Sequence, residues 1–143
     1  MDGALQRLAR RPRDHREEMA RFLVVGACGY LLAVLFYSAE IQAGVSPYVA
    51  VPPVFVLNGL FNFTLNRVWT FPRSGRPVRD ELARFAAVAA CSLVANYAVL
   101  YVLHDVAGLP AVAAQALAIL AATPVGFLGN KFFSFSPARE TAR

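Results

Sequence analysis

The stretch "FNFTLNRVWTF", residues 61–71, closes a long apolar run with Asn62, Asn66, Arg67 and a set of aromatic residues. "GFLGNKFFSF", residues 126–135, closes a second apolar run in almost the same way. A cation beside aromatic rings suits a helix end at a membrane–water interface, where long basic side chains snorkel and Trp and Phe form a belt. Working outward, residues 22–39, 41–66, 85–104 and 106–130 contain no Asp, Glu, Lys or Arg. A helix that crosses the hydrocarbon core needs about 20 predominantly apolar residues. All four runs are long enough, the first with Glu40 at the interface. Composition agrees: 57% of the 143 residues are hydrophobic and 16% charged, against about a quarter charged in a soluble domain. The expected fold is an all-α membrane protein with spans at about 22–40, 48–66, 85–104 and 109–130.

Orientation follows from Lys and Arg, which stay on the cytoplasmic side of short loops. Arg7, Arg10, Arg11, Arg13, Arg16 and Arg21 precede the first run. Arg67, Arg73, Arg76, Arg79 and Arg84 lie between the second and third, and Lys131, Arg139 and Arg143 follow the fourth. The two remaining loops hold none of the 14 and carry Glu40, His104 and Asp105 instead. Both termini and the middle loop are therefore expected in the cytoplasm. The net charge of +5 is mostly this topology signal, and a nucleic-acid partner, which needs a soluble basic face, is not expected. The polar leader lacks a short apolar core with a cleavage site, so no secretory signal peptide is expected. The expected organisation is a basic cytoplasmic segment at 1–20, a transmembrane domain at 21–135 and a cytoplasmic tail at 136–143.

The chain resembles itself. Arg21-Phe22 matches Arg84-Phe85, Cys28 matches Cys91, and Pro47 matches Pro110, all 63 residues apart. After one inserted residue the offset is 64, pairing Phe63 with Phe127, Asn66 with Asn130, Arg67 with Lys131, Trp69 with Phe133, and Phe71 with Phe135. Each half holds two crossings, so the halves are expected to be parallel repeats related by an axis along the membrane normal. "GVSPYVA" and "AGLPAVA" read as the turns inside each half, since Gly ends one helix and Pro suits the start of the next. Pro72, Gly75 and Pro77 mark the middle loop as the linker.

Polar side chains inside spans face other helices or a wet cavity. Asn58, Asn62 and Asn66 recur every four residues and share one helix face; Ala122, Gly126 and Asn130 occupy the matching positions of the fourth helix. The amide stripe could pack on the small-residue stripe, or Asn58 and Asn62 could line a polar groove. Asn66-Arg67 and Asn130-Lys131 each set a cation beside an amide, a combination suited to an anion. Ser92, Asn96 and Gln115 read as interhelical hydrogen-bonding groups. Pro52, Pro53 and Pro124 are expected to kink their helices and free carbonyls. Glu40 and Asp105 read as residues of exposed turns, and Cys28 and Cys91 as small hydrophobes within spans. The sequence offers no nucleophile–base pair, metal cluster or Gly-rich phosphate loop, so neither catalysis, nor a metal, nor a cofactor is expected. A small multidrug exporter has this size but relies on an acid embedded in its first helix, where Glu40 lies too near the outer edge.

Arg-Phe before an apolar run with Gly26, "NFTLNRVWTF" closing the second helix, Arg84-Phe85 opening the second half and "GFLGNKFFSF" closing it together resemble the GtrA-like family over residues 21–135. The resemblance implies a role in cell-surface polysaccharide synthesis at the cytoplasmic membrane. The protein would flip a polyprenyl-phosphate-linked sugar, or else act as a non-transporting scaffold for a glycosyltransferase of the same pathway. A polyprenyl phosphate needs a basic interfacial site, an apolar surface for its chain and a polar path for its sugar. The phosphate is expected at Asn66, Arg67, Asn130 and Lys131, with Arg21 and Arg84 beside them, and the sugar at Asn58, Asn62 and Asn96. Four helices bury little surface around such a path, so a homo-oligomer is expected.

Overall fold

The computed structural model describes residues 15–70 and 76–134. The leader through residue 14, the linker residues 71–75 (Phe71, Pro72, Arg73, Ser74 and Gly75), Phe135 and the tail at 136–143 lie outside the described residues, and with them the expectations that fall there.

Among the described residues every regular element is helical: α1 (His15–Gln42), α2 (Pro47–Leu65), α3 (Val78–Tyr101) and α4 (Ala111–Gly129). The last three run on into five-residue π-helical turns, π1 (Asn66–Thr70), π2 (Val102–Val106) and π3 (Asn130–Ser134). Four stretches are long and apolar enough to span a bilayer, the shortest being Pro47–Thr70 and Ala111–Ser134 at 24 residues each. At 1.5 Å per residue, 24 residues reach about 36 Å, more than a hydrocarbon core of about 30 Å. The outward faces support this: Leu35 and Val94 are 70% and 71% exposed, among many exposed Leu, Val and Phe side chains. Soluble monomers rarely leave such continuous apolar surface uncovered. The chain is a multi-pass membrane protein.

Two of the helix junctions are tight turns. After α1, Gly44 has φ +88°; its N–H bonds to the Ile41 carbonyl and that of Val45 to the Glu40 carbonyl, both at 3.0 Å. These paired bonds close a helix around a left-handed residue, which glycine adopts without strain. Gly108 plays the same part after π2, with φ +72°. Pro47 then opens α2, and Pro110 caps α4. The turn that holds Gly44 places α1 and α2 antiparallel, and the turn at Gly108 does the same for α3 and α4.

The two hairpins close into a ring. α1 packs on α2 and α4, and α3 packs on α4 and α2, leaving α1/α3 and α2/α4 as diagonals. Two levels are convenient: a turn end, with Gly44 and Gly108, and a basic end, with Arg21, Arg67, Arg84 and Lys131. The core lies toward the turn end, where Ala33, Tyr37, Ala50, Val51, Val54, Leu100, Ala114 and Ala118 are all buried together. There the Tyr37 hydroxyl donates to the Pro47 carbonyl at 3.1 Å. Pro52 lacks the N–H that would bind the Tyr48 carbonyl, and that carbonyl instead accepts the Tyr97 hydroxyl at 3.1 Å, so an α2 carbonyl freed by proline ties the first hairpin to the second. α2 and α4 run through Pro52, Pro53 and Pro124 as continuous helices.

Several expectations are corrected here. The Asn stripe of α2 and the small-residue stripe of α4 do not pack together, because their helices are diagonal. Glu40 lies inside α1 and is half-buried, not in an exposed turn, since α1 continues one turn past the apolar run before Gly44 stops it. Asp105 is exposed, in π2, and accepts the Tyr48 hydroxyl. Cys28 and Cys91 are free thiols on the outer surface of the bundle.

Candidate functional site

Toward the basic end the ring stays open around a cavity of about 410 Å³ lined by all four helices. That volume lies within the range of roughly 300–1,000 Å³ usual for ligand pockets. Its wall is mostly apolar, with Tyr30, Asn58, Asn62, Ser92, Thr123 and Asn130 as its polar members.

The two hairpins build their shares of this wall differently. In the first, α1 supplies small residues and α2 the amides: a Cβ on Gly29 would stand 2.6 Å from both Asn58 Oδ1 and Asn62 Nδ2. A larger side chain there would have to displace the amide pair on which α1 lies. In the second the arrangement is exchanged, with Ser92 on α3 facing Gly126 on α4, 3.6 Å from where its Cβ would sit. Asn96 and Ala122 continue the exchange one turn further, both buried. Asn58, Asn62 and Ser92 therefore lie on neighbouring helices α2 and α3, while α1 and α4, the latter with its π3 turn, offer mainly small residues such as Gly26, Ala33, Ala122 and Gly126, with Tyr30, Thr123 and Asn130 as their polar groups.

Hydrogen bonds within the wall are incomplete. Asn62 Nδ2 donates to Asn58 Oδ1 at 2.7 Å and to the Asn58 carbonyl at 2.9 Å. Asn62 Oδ1 and Asn58 Nδ2 remain as one acceptor and one donor on cavity-lining residues. Ser92 is 8% exposed, and its Oγ has no partner among the described residues. Asn96 and Gln115 are fully buried with neither amide atom paired among the described residues, so the interhelical hydrogen bonds expected of Ser92, Asn96 and Gln115 are not made there. A buried amide without a partner costs on the order of 1–3 kcal/mol. Asn96 does not line the cavity, although its neighbour one turn away does.

At the basic end the expected phosphate residues divide. Arg21 donates from Nη1 to the Trp69 carbonyl at 3.1 Å and lies over the Trp69 ring; Arg84 does the same at Phe133, also at 3.1 Å. Each arginine thus ties the start of one helix to the π turn that ends its hairpin partner. Arg67 is bound by Glu81, Nε to Oε2 at 2.6 Å, with the carboxylate completely buried and the arginine side chain 35% exposed. Glu81 is the residue that the sequence reading missed; it lay in a stretch read as linker, 14 residues from its partner, and no spacing rule links the two. Lys131 lies over the Phe127 and Phe132 rings, 5.8 and 5.7 Å from their centroids, with no carboxylate partner among the described residues. Asn130 beside it lines the cavity and accepts the Ser134 hydroxyl at 3.0 Å. Asn66 is 1% exposed, has no partner for either amide atom among the described residues, and lies outside the cavity lining. The structure brings Asn58, Asn62, Ser92 and Asn130 to one cavity with Lys131 adjoining it, and turns Asn66 and Arg67 elsewhere. Among the described residues no three His, Cys, Asp or Glu converge as a metal site.

An all-α, multi-pass bundle with a mostly apolar cavity that carries a few polar groups, enclosed between two hairpins, is the class that fold and site define. The family model described as GtrA/DPMS, transmembrane domain, matches residues 21–135, and the chain belongs to that family. Membership links it to polyprenyl-phosphate sugar pathways. None of the curated proteins compared with the chain matches it.

Proposed function

We propose that this protein is a non-enzymatic carrier that flips a polyprenyl-phosphate-linked sugar across the cytoplasmic membrane for cell-surface polysaccharide or glycan synthesis. The observation that carries the reading is the cavity: a space with unclaimed amide and hydroxyl groups, inside a membrane bundle of this family, with a cation at its rim. Hydroxyl-rich sugars need such donors and acceptors once they leave water. Asn58, Asn62 and Ser92 serve the sugar, and Asn96 joins them when the wall shifts. Lys131 and Asn130 take the phosphate; Asn66 and Arg67 hold the equivalent place in the first half, where Arg67 must leave Glu81 to reach an anion.

The two hairpins are taken as parallel repeats. The matched contacts of Arg21 with Trp69 and Arg84 with Phe133 support this, as do the ring pairs Phe22–Phe127 and Phe63–Phe85. The basic end is taken as cytoplasmic from its Arg and Lys content, and a homo-oligomer remains compatible with the exposed outer faces.

The test is purified protein in liposomes with a labelled polyprenyl-phosphate sugar and a sidedness assay. The wild type moves lipid unaided; Lys131→Gln with Arg67→Gln and Glu81→Gln, which removes both cations without orphaning the buried carboxylate, inserts normally and moves none. Unchanged transport in that variant overturns the assignment of the phosphate residues. A wild type inert in liposomes that copurifies with a glycosyltransferase overturns flipping in favour of the scaffold.

A further inference from the structure

The cavity wall is not equally closed on all sides. Its exposed lining residues, Leu23, Ala27, Leu120 and Thr123, all belong to α1 and α4, with Leu23 and Leu120 at 59% and 51% exposure. Lining residues on α2 and α3 are buried or half-buried. Small side chains make the difference. Nothing lies within 4 Å of where a Cβ on Gly26 would stand, whereas on the opposite side a Cβ on Gly59 would touch the Phe85 ring at 3.8 Å. There Phe85 also packs edge-on against Phe63, with ring centroids 5.3 Å apart. The cavity thus opens sideways between α1 and α4, at a depth where the surroundings are lipid. Toward the basic end the opening is closed by Phe22 and Phe127, 4.7 Å apart. Pro124, next in α4 after the lining residue Thr123, has no N–H to offer the Leu120 carbonyl.

We propose that the slot between α1 and α4 holds the single isoprenoid chain of a polyprenyl phosphate, while its polar head rests against Asn58, Asn62 and Ser92 on the α2–α3 wall. This rests on the carrier reading above and assigns each end of the substrate to one side of the ring. An amphiphile crossing the bilayer keeps its chain in hydrocarbon while its head stays on polar groups, which requires a lateral opening facing a polar wall. A helix of a second copy is about 10–12 Å across with its side chains. α1 and α4 still pack as neighbours, so the occupant is a thread rather than a helix. One chain suits the slot better than the paired chains of a phospholipid.

The test uses purified full-length protein and a farnesyl phosphate carrying a diazirine on its chain, with adducts mapped by mass spectrometry. Adducts are expected on Leu23, Ala27, Leu120 or Thr123, displaced by unlabelled polyprenyl phosphate. Gly26→Trp, which fills the open space, should cut displaceable labelling about tenfold, as a clash built against one occupant does. The inference is overturned by adducts concentrated on the α2–α3 face, by equal displacement with phosphatidylglycerol, or by crosslinking of two copies through Leu120→Cys in a background with Cys28 and Cys91 replaced by Ala. Labelling of the slot in a protein that flips nothing would remove the carrier reading and leave the slot standing. Transport with labelling elsewhere would do the reverse.

Discussion

Replacing Arg67 by Gln removes the close ion pair that Arg67 makes with the buried Glu81 carboxylate. At 2.6 Å and an effective dielectric of about 20, unit charges attract by about 6 kcal/mol. Desolvation of a completely buried carboxylate consumes most of that, so the pair contributes little net stability. Removing one partner is a different matter, with losses of about 3–5 kcal/mol for buried pairs. The two partners are unequal here. Arg67 is 35% exposed and can hydrate if Glu81 is lost, whereas Glu81 is 0% exposed and cannot. Arg67→Gln should therefore destabilise by about 3 kcal/mol and Glu81→Gln by about 1 kcal/mol. The double variant should return to within about 1 kcal/mol of wild type, giving a coupling of about 3 kcal/mol. Denaturant titration in detergent micelles, followed by circular dichroism, measures all four proteins. A double variant no more stable than Arg67→Gln, or a larger loss from Glu81→Gln than from Arg67→Gln, refutes the reasoning.

Glycine at 129 is sterically required: a Cβ there would stand 2.6 and 2.8 Å from the two γ-carbons of Val88, a stiff β-branched side chain. Gly129→Ala should cost about 1–3 kcal/mol through overpacking, while Gly26→Ala, which meets open space, should leave stability unchanged or gain up to about 1 kcal/mol in helix propensity; thermal unfolding in detergent compares them, and equal effects would contradict the packing. Ser92→Ala should keep or raise stability by up to about 1 kcal/mol, because it removes a buried hydroxyl that has no partner, yet slow sugar-lipid transport. A stability loss above that size would reveal an internal hydrogen bond to Ser92.

The four crossings, the Gly44 and Gly108 turns and the proline starts after them were legible because each rests on a local rule: enough apolar length, a left-handed glycine, a preset φ. Hydropathy reports depth along a helix and says nothing of which helices become neighbours. For that reason the sequence leaves the Asn58–Asn62 stripe either packing on α4 or lining a groove, and does not show that Gly29 of α1 lies on it. The ends of the spans were also hidden. Asn66 and Asn130 read as interfacial residues, but the chain stays helical beyond both as π turns, burying Asn66. Glu81 looked like linker because a carboxylate among arginines reads as solvated, and only tertiary packing carries it inside. Of the site, Asn58, Asn62, Asn130 and Lys131 were visible as residue types at membrane depth; Ser92's cavity position and the open side between α1 and α4 depend on how the ring closes.

The exchange of amides and small residues between the hairpins makes each incomplete in a complementary sense. Two copies of the first, joined as a symmetric pair, would set Asn58 and Asn62 on opposing walls; two copies of the second would do likewise with Ser92 and Asn96. Either assembly would be wet on both flanks and have no greasy exit. Only the mixed pairing puts Asn58, Asn62 and Ser92 together on one side with the small residues Gly26 and Gly126 across from them, so the join between residues 70 and 76 keeps unlike halves together in equal number.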